Sequence, residues 1–367
     1  MNMKRICLAL VAALLTGLLL GACSSTPTAV PTETPTDLTL TDALDQTITF
    51  DAPPQRIVAA GKSVLTVVNT LYLFPEAGQR LVGVVVGQQP LGEFISLVDP
   101  TWDQKITLAP DAGPEQIAPL QPDIVLLRSF VADSLGRPLK ELDIPVVYFD
   151  LETPEQYFRD VAVMGQLLGN ATRAEAIRDF YQSRLDHIEQ TVADLSTEQR
   201  PRVLLVQYSD QGGEVALKVP STAWIQTTEV ELAGGAPVWK EAAPSGGWTV
   251  VNFEQIAVWD PDQIFVVSYQ ADSAQVVAKL KANPQWQALQ AVQSGAIYGF
   301  PGDIFSWDQP DPRWILGVTW LAGKIHPDRF PNLDVEREAV AFFSQMYGMD
   351  EAAVEASILP SLKGNVK

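Results

Sequence analysis

Lys62 and Arg128 are cations that each follow an apolar run, and the planar fork of an arginine suits a carboxylate. Ser63 adds a hydroxyl beside Lys62. Trp224, Trp248 and Trp307 offer flat faces for a planar or aromatic ligand, and Tyr208 and Tyr269 stand beside them at the ends of apolar runs. Each Trp equally suits core packing, and each cation an ion pair with a nearby Asp. This is chemistry for holding a solute. Bond-making chemistry has few candidates: there are two His and two Cys, and no Gly-x-Ser-x-Gly, His-Glu-x-x-His or Cys-x-x-Cys. An enzyme is therefore not expected, a disulfide scaffold is excluded and a zinc cage nearly so. His187 is expected to be solvated and His326 to close a helix, neither being a metal or haem ligand. Gly61-Lys62-Ser63 lacks the earlier Gly of a phosphate loop, since Arg56 stands five positions before Gly61. It is expected to be a strand-to-helix turn whose amides face a cleft.

Two further carboxylates are singled out by repetition. Glu115-Gln116-Ile117-Ala118 is followed four residues later by Pro122-Asp123 and an apolar run. Glu254-Gln255-Ile256-Ala257 is followed by Pro261-Asp262 and another, 139 residues on and without a gap. The pattern reads as a short helix, a stop and a strand buried on both faces. Two copies so far apart imply two similar lobes, each with its own sheet, rather than a solenoid.

These residues need a scaffold, and the rest of the chain supplies one. Hydrophobic residues make up 47% and charged residues 19%, a globular composition, and the net charge of −19 disfavours a nucleic-acid partner. The chain opens with Lys4 and Arg5, an apolar stretch from Ile6 to Leu20, and Leu20-Gly21-Ala22-Cys23. That reads as a signal peptide over 1–22; its ending resembles the bacterial lipobox, which implies cleavage before Cys23, lipid on that residue and a mature charge of about −21, the alternative being an ordinary secretory signal that happens to hold a Cys. Residues 23–37, rich in Ser, Thr and Pro, form a flexible tether.

Strands alternating with helical segments over 38–152 predict an N-terminal α/β lobe. A hairpin is expected over Leu38–Phe50 with its turn at Asp45-Gln46. Strands are expected at Arg56–Gly61, Leu81–Gly87, Ile124–Arg128 and Ile144–Phe149, with a loop over Gln88–Gln104. Linking helices follow over 153–196. Thr153 to Gln156 and Thr172 to Glu175 read as capping boxes. The second opens a helix whose apolar stripe is Ile177, Tyr181, Leu185, Ile188, Val192 and Leu195; at about 24 residues it spans roughly 36 Å. A C-terminal α/β lobe is expected over 197–348, with strands at Arg202–Tyr208, Ile264–Tyr269 and Ala296–Phe300, and a weakly patterned tail over 349–367. The fold class is α/β: two lobes, each with a mainly parallel sheet flanked by helices, joined by one long rigid helix. Ligands of such sheets bind beyond the carboxyl ends of the strands. That places Gly61 to Ser63, Gln88-Gln89 and Arg128 on one side of a cleft, and Tyr208, Trp224, Trp248, Tyr269 and Asp303 to Trp307 on the other.

Taken together, several pieces resemble the substrate-binding proteins of ABC importers for ferric siderophores, haem and cobalamin. They are Arg56-Ile57-Val58, Pro114-Glu115…Pro122-Asp123, Gly165-Gln166-Leu167-Leu168-Gly169 with Ala174, Phe253-Glu254…Pro261-Asp262, Trp286 with Leu289, and Gly295-Ala296-Ile297-Tyr298. Their order and spacing carry the resemblance over roughly 38–348, and the Cys23 motif is similar to that of lipid-anchored members. Ser306-Trp307-Asp308 and Asp311-Pro312-Arg313-Trp314 look like a subgroup assigned to iron complexes. The resemblance implies an extracytoplasmic, membrane-anchored monomer that captures a ferric chelate between two lobes and hands it to a permease with its ATPase. A corrinoid or haem is the alternative cargo, and signalling without transport the alternative role. It further implies that Glu115 and Glu254 dock on Arg residues of the permease, one from each lobe. The physical competitor is the helix dipole, which also favours Glu in a first turn. No cofactor and no resident metal are expected.

Overall fold

Apolar runs too short to be helices become strands here, and most are covered on both faces. The computed structural model describes residues 38–86, 91–243 and 246–367. The first lobe opens with an antiparallel hairpin, β1 (Leu38–Thr41) and β2 (Thr47–Phe50). Its turn is closed by the Asp42 carboxylate, which accepts the N–H groups of Leu44 and Gln46 at 2.9 and 3.0 Å. Then come β3 (Ile57–Ala59), β4 (Leu81–Val85), β5 (Ile106–Leu108), β6 (Ile124–Arg128) and β7 (Val146–Phe149), in sheet order β5-β4-β3-β6-β7. Every pairing is parallel. Strands β3, β6 and β7 are buried at every residue. The expected loop at 88–104 instead holds a helix at Leu91–Val98 and a 3-10 turn at Trp102–Gln104. Pro90 and Pro100 bracket a segment too short to show a helical period, yet Phe94 and Ile95 are fully buried.

Thr153 caps the helix Pro154–Leu168, which ends at left-handed Gly169. The long helix that follows, Ala171–Val192, is capped by Asn170, whose side chain accepts the Arg173 N–H at 3.0 Å. Thr172, expected to begin the cap, is already inside the helix. Its 22 residues span about 33 Å and bury Ile177, Tyr181, Ile188 and Val192. Leu185 is only half-buried, and Leu195 lies beyond the end. No helix among the described residues is long and apolar enough to cross a membrane.

The second lobe is built on β8 (Arg202–Gln211), β9 (Glu214–Val219), β10 (Ala236–Pro237), β11 (Thr249–Val251), β12 (Gln263–Val267) and β13 (Ile297–Gly299). The order is β11-β9-β8-β12-β13, with β10 beside β8. Strands β8, β10, β12 and β13 run parallel, while β9 pairs antiparallel with β8 and β11 antiparallel with β9. The sequence repeat is a structural repeat. Both copies turn through a left-handed residue at the same place, Gln121 (φ 48°) and Asp260 (φ 43°). The Asp123 carboxylate then accepts the N–H groups of Gln55 and Arg56, both at 2.8 Å, and Asp262 that of Arg202 at 2.7 Å. Arg56 reaches back to the carbonyls of Leu120 and Gln121, and Arg202 to that of Trp259. The Pro-Asp turn therefore anchors the start of the central strand of each sheet.

The tail is ordered by that same sheet. A helix at Glu351–Ser357 follows the one at Val335–Tyr347, and Lys363 and Asn365 donate N–H groups to the carbonyls of Gly302 and Gly299 at 2.8 and 2.9 Å. The lobes also meet in a buried junction. Arg313 is fully buried between Asp303 and Asp311 at 2.8 and 3.0 Å and stacks 4.1 Å over Phe94 of the first lobe. Asn69 donates to Asp311, and Tyr347 Oη to the Asn69 carbonyl at 3.1 Å. From the linking helix, Arg173 binds the carbonyls of Leu73, Gln345 and Met346 at 2.8, 2.9 and 2.6 Å.

Candidate functional site

In the first sheet the chain leaves β3 for β4 on one side and later returns to β6 on the other. The gap between the ends of β3 and β6 is the switch point where ligands of such sheets bind. Gly61 turns the chain there at φ 82°, a conformation that favours glycine, and a Cβ would stand a tight 3.1 Å from Val131 Cγ2. Ser63, at φ 57°, precedes the helix Val64–Leu71. This turn and Arg128, the last residue of β6, line a cavity of about 730 Å³. The facing wall comes from the second lobe: Trp224 before the helix Ile225–Leu232, Trp248 before β11, and Tyr269 after β12. Trp224 meets Trp248 edge-on at 5.8 Å, and Trp248 meets Tyr269 at 6.3 Å. Phe130, 60% exposed, extends the aromatic lining onto the first lobe.

The two walls differ in charge. Arg128 is 2% exposed. It donates to Thr66 Oγ1 at 2.9 Å and to Glu152 Oε1 at 2.6 Å, and its Nε has no partner among the described residues. Lys62 is exposed beside it and makes no ion pair among the described residues. Burial raises the pKa of Glu152, with Arg128 and the Ile225 N–H pulling the other way. Behind the aromatic wall, buried Asp308 accepts the hydroxyls of Tyr269 and Ser306 at 2.7 and 2.5 Å and the Gln226 amide at 3.4 Å. The Tyr269 ring faces the cavity, but desolvation of its hydroxyl beside buried Asp308, and then that carboxylate, push the phenol up. Glu229 is fully buried, its oxygens have no hydrogen-bond partner among the described residues, and burial reinforced by Asp308 raises its pKa well above the usual carboxylate value.

Of the expected ligand residues, the structure brings Lys62, Ser63, Arg128, Trp224, Trp248 and Tyr269 to one cavity. It leaves out two. Strand β8 continues to Gln211, so Tyr208 is mid-strand opposite Leu217 rather than at a strand end. Trp307 is fully buried, its indole N–H held by Asp303 at 3.0 Å; the core-packing alternative describes it. Sequence reasoning missed Thr66, Phe130, Glu152 and Gln226. Glu152 was accessible in principle, lying just past the end of β7, but the capping residue Thr153 drew the reading of that stretch toward the helix. Gln88, Gln89, Ser245 and Cys23 lie outside the described residues. Glu115 and Glu254 are exposed in the first turns of Pro114–Ile117 and Phe253–Trp259. His187 is exposed, while His326 is buried at the end of the helix Trp314–Ile325 with Nε2 3.2 Å from the Gly234 carbonyl. Among the described residues no cluster of His, Cys, Asp and Glu could hold a metal ion.

A family model described as periplasmic binding protein matches residues 97–304, more than half of the chain. The molybdate-binding protein MolA of Haemophilus influenzae is 23% identical over 337 residues, covering 85% of this chain and 91% of MolA. Among solved structures, molybdate-bound MolA aligns with a TM-score of 0.67 at 18% identity, covering 85% of this chain and 98% of that one. FepB, a TroA-like periplasmic binding protein of Veillonella parvula, aligns with a TM-score of 0.69 at 17% identity, covering 84% and 95%.

Proposed function

Because the chain belongs to the periplasmic binding protein family, we propose that it is the solute receptor of an ABC importer, held outside the cytoplasm by a lipid on Cys23. Its proposed cargo is an anionic chelate of iron. The observation that carries this reading is the cavity of about 730 Å³ with Arg128 and Lys62 on one wall and Trp224, Trp248 and Tyr269 on the other. A volume of that order suits an organic ligand, and the aromatic edges give a ligand's apolar body a surface that a bare inorganic anion would leave unused. Lys62, and Arg128 where it is released from Glu152, favour a net negative complex, the planar guanidinium suiting a carboxylate or catecholate group. A corrinoid or haem would use the same aromatic wall with less demand on the cations.

A second reading rests on MolA, which is named for binding molybdate. An oxyanion would occupy only the Arg128 corner. Quenching of Trp fluorescence, with native mass spectrometry, separates these cargoes. Ferric citrate, ferric catecholates and hydroxamates, haem, cobalamin and molybdate form the panel. A ferric chelate binding tightly and quenching Trp224 and Trp248 is the expected result; tight binding of molybdate alone overturns the chelate reading. A receptor that signals without transport would bind the same ligand yet support no uptake when paired with a permease and ATPase in vesicles.

A further inference from the structure

Glu152 stands where the negative charge of the cargo belongs. It follows β7 on the first lobe, and Leu151 before it sits at φ 61°, a left-handed value that strains a leucine. Buried Asp160 holds that turn: its Oδ2 accepts the N–H groups of Asp150 and Leu151 at 2.7 and 2.9 Å. The strained turn delivers Glu152 into the cleft, where its side chain is 23% exposed. One oxygen takes Nη2 of Arg128 at 2.6 Å. The N–H of Ile225, first residue of the helix Ile225–Leu232 on the other lobe, faces the same carboxylate and favours its charged form. A guanidinium and a helix N-terminus are the two protein groups best suited to an oxyanion. The guanidinium is buried, and its Nε remains unpartnered among the described residues.

We propose that Glu152 is an internal stand-in for the anionic group of the ligand, which displaces it from Arg128 and takes its place before the N-terminus of the Ile225–Leu232 helix. The proposal rests on reading the cleft as a receptor for an anionic solute. Its consequence is selectivity. A tethered carboxylate competes at high effective concentration, so a simple anion with nothing but charge to offer is turned away. A ligand that also fills the aromatic wall gains enough from the second contact to enter. Discrimination thus comes from a built-in competitor as much as from attraction.

The groups facing the Glu152 carboxylate are Arg128 on β6, Asp150 on its own turn and the Ile225 N–H from the second lobe. Protonation weakens its hold on Arg128, so anion binding at this corner strengthens as the pH falls. Inorganic sulfate is the direct probe, followed through the Ile225 amide by nitrogen-15 NMR. Glu152→Gln should raise sulfate affinity about tenfold or more and remove the gain at low pH; Glu152→Asp, with its shorter reach, should move in the same direction. Arg128→Met should abolish sulfate binding in either background. Unchanged or weaker sulfate binding in the folded Gln and Asp variants overturns the proposal, the latter outcome making Glu152 a ligand contact. Ferric citrate titrated in parallel tests the chelate reading: a protein that gains sulfate on Glu152→Gln but never binds a chelate keeps the stand-in and loses the cargo.

Discussion

Arg128 carries the strongest demand made of any single residue in the cleft. Replacing it by Gln leaves Glu152 without its cation, and breaking a buried pair costs about 3–5 kcal/mol, reduced here by the 23% exposure of Glu152. Arg128→Gln should therefore lower both thermal stability and chelate affinity, the latter by at least tenfold in a fluorescence titration. Asp160 gives a cleaner prediction. Burial, only partly offset by Arg159, pushes its carboxyl from the ordinary 3.8 up to about 6. The native protein then holds this proton more tightly than the unfolded chain. Stability is highest below pH 4, falls by about 3 kcal/mol between pH 4 and 6, and is flat in this respect above 6. Asp160→Asn should flatten that slope relative to wild type in denaturant midpoints measured across the range; identical slopes would show that Asp160 titrates normally. Residue types alone separated these cases poorly. Trp224 and Trp307 look alike in sequence, and only the buried hydrogen bond of Trp307 to Asp303 assigns it to the core.

Elements were more legible than residues wherever a local signal agreed with burial. The repeat announced its two helix-turn-strand units because Pro, Asp and a buried strand recur in register. Strand β5 was invisible because it is three residues long and two are exposed, so no apolar run exists to be read. The cap of the linking helix shows how a correct motif slips: Thr172 and Glu175 have capping-box types and spacing, but Gly169 ends the preceding helix in the left-handed region and leaves Asn170 as the first residue able to cap. Asn170→Ala should cost about 1 kcal/mol, beyond which its bond to Glu76 at 2.8 Å adds a little, while Thr172→Ala should be near neutral. Equal losses on urea unfolding would restore Thr172 as the cap.

At the scale of the molecule, the buried junction decides how the lobes cooperate. Burial works against the charge on Arg313, but Asp303 and Asp311 outweigh it and hold the guanidinium charged, with Phe94 of the other lobe stacked upon it. Together with the Arg173 bonds, this leaves little room for one lobe to swing on the other, so loading should move the backbone by about 1 Å or less and leave scattering profiles superposable. Glu115 and Glu254 then keep a nearly constant separation whether or not cargo is present. On the proposed docking role, two carboxylates at equivalent places suit a two-fold partner bearing Arg pairs, and the permease must sense loading at the cleft edge rather than by a changed distance between them. Glu115→Arg with Glu254→Arg should abolish uptake in reconstituted vesicles while chelate affinity stays as in wild type, and each single variant should fall between. Both side chains are exposed in first helical turns, so only their dipole contribution, about 0.3–1 kcal/mol each, is lost from the fold. Full transport by the double variant would reduce these residues to helix starts, and lost ligand binding would place them in the cleft's support instead of on the permease.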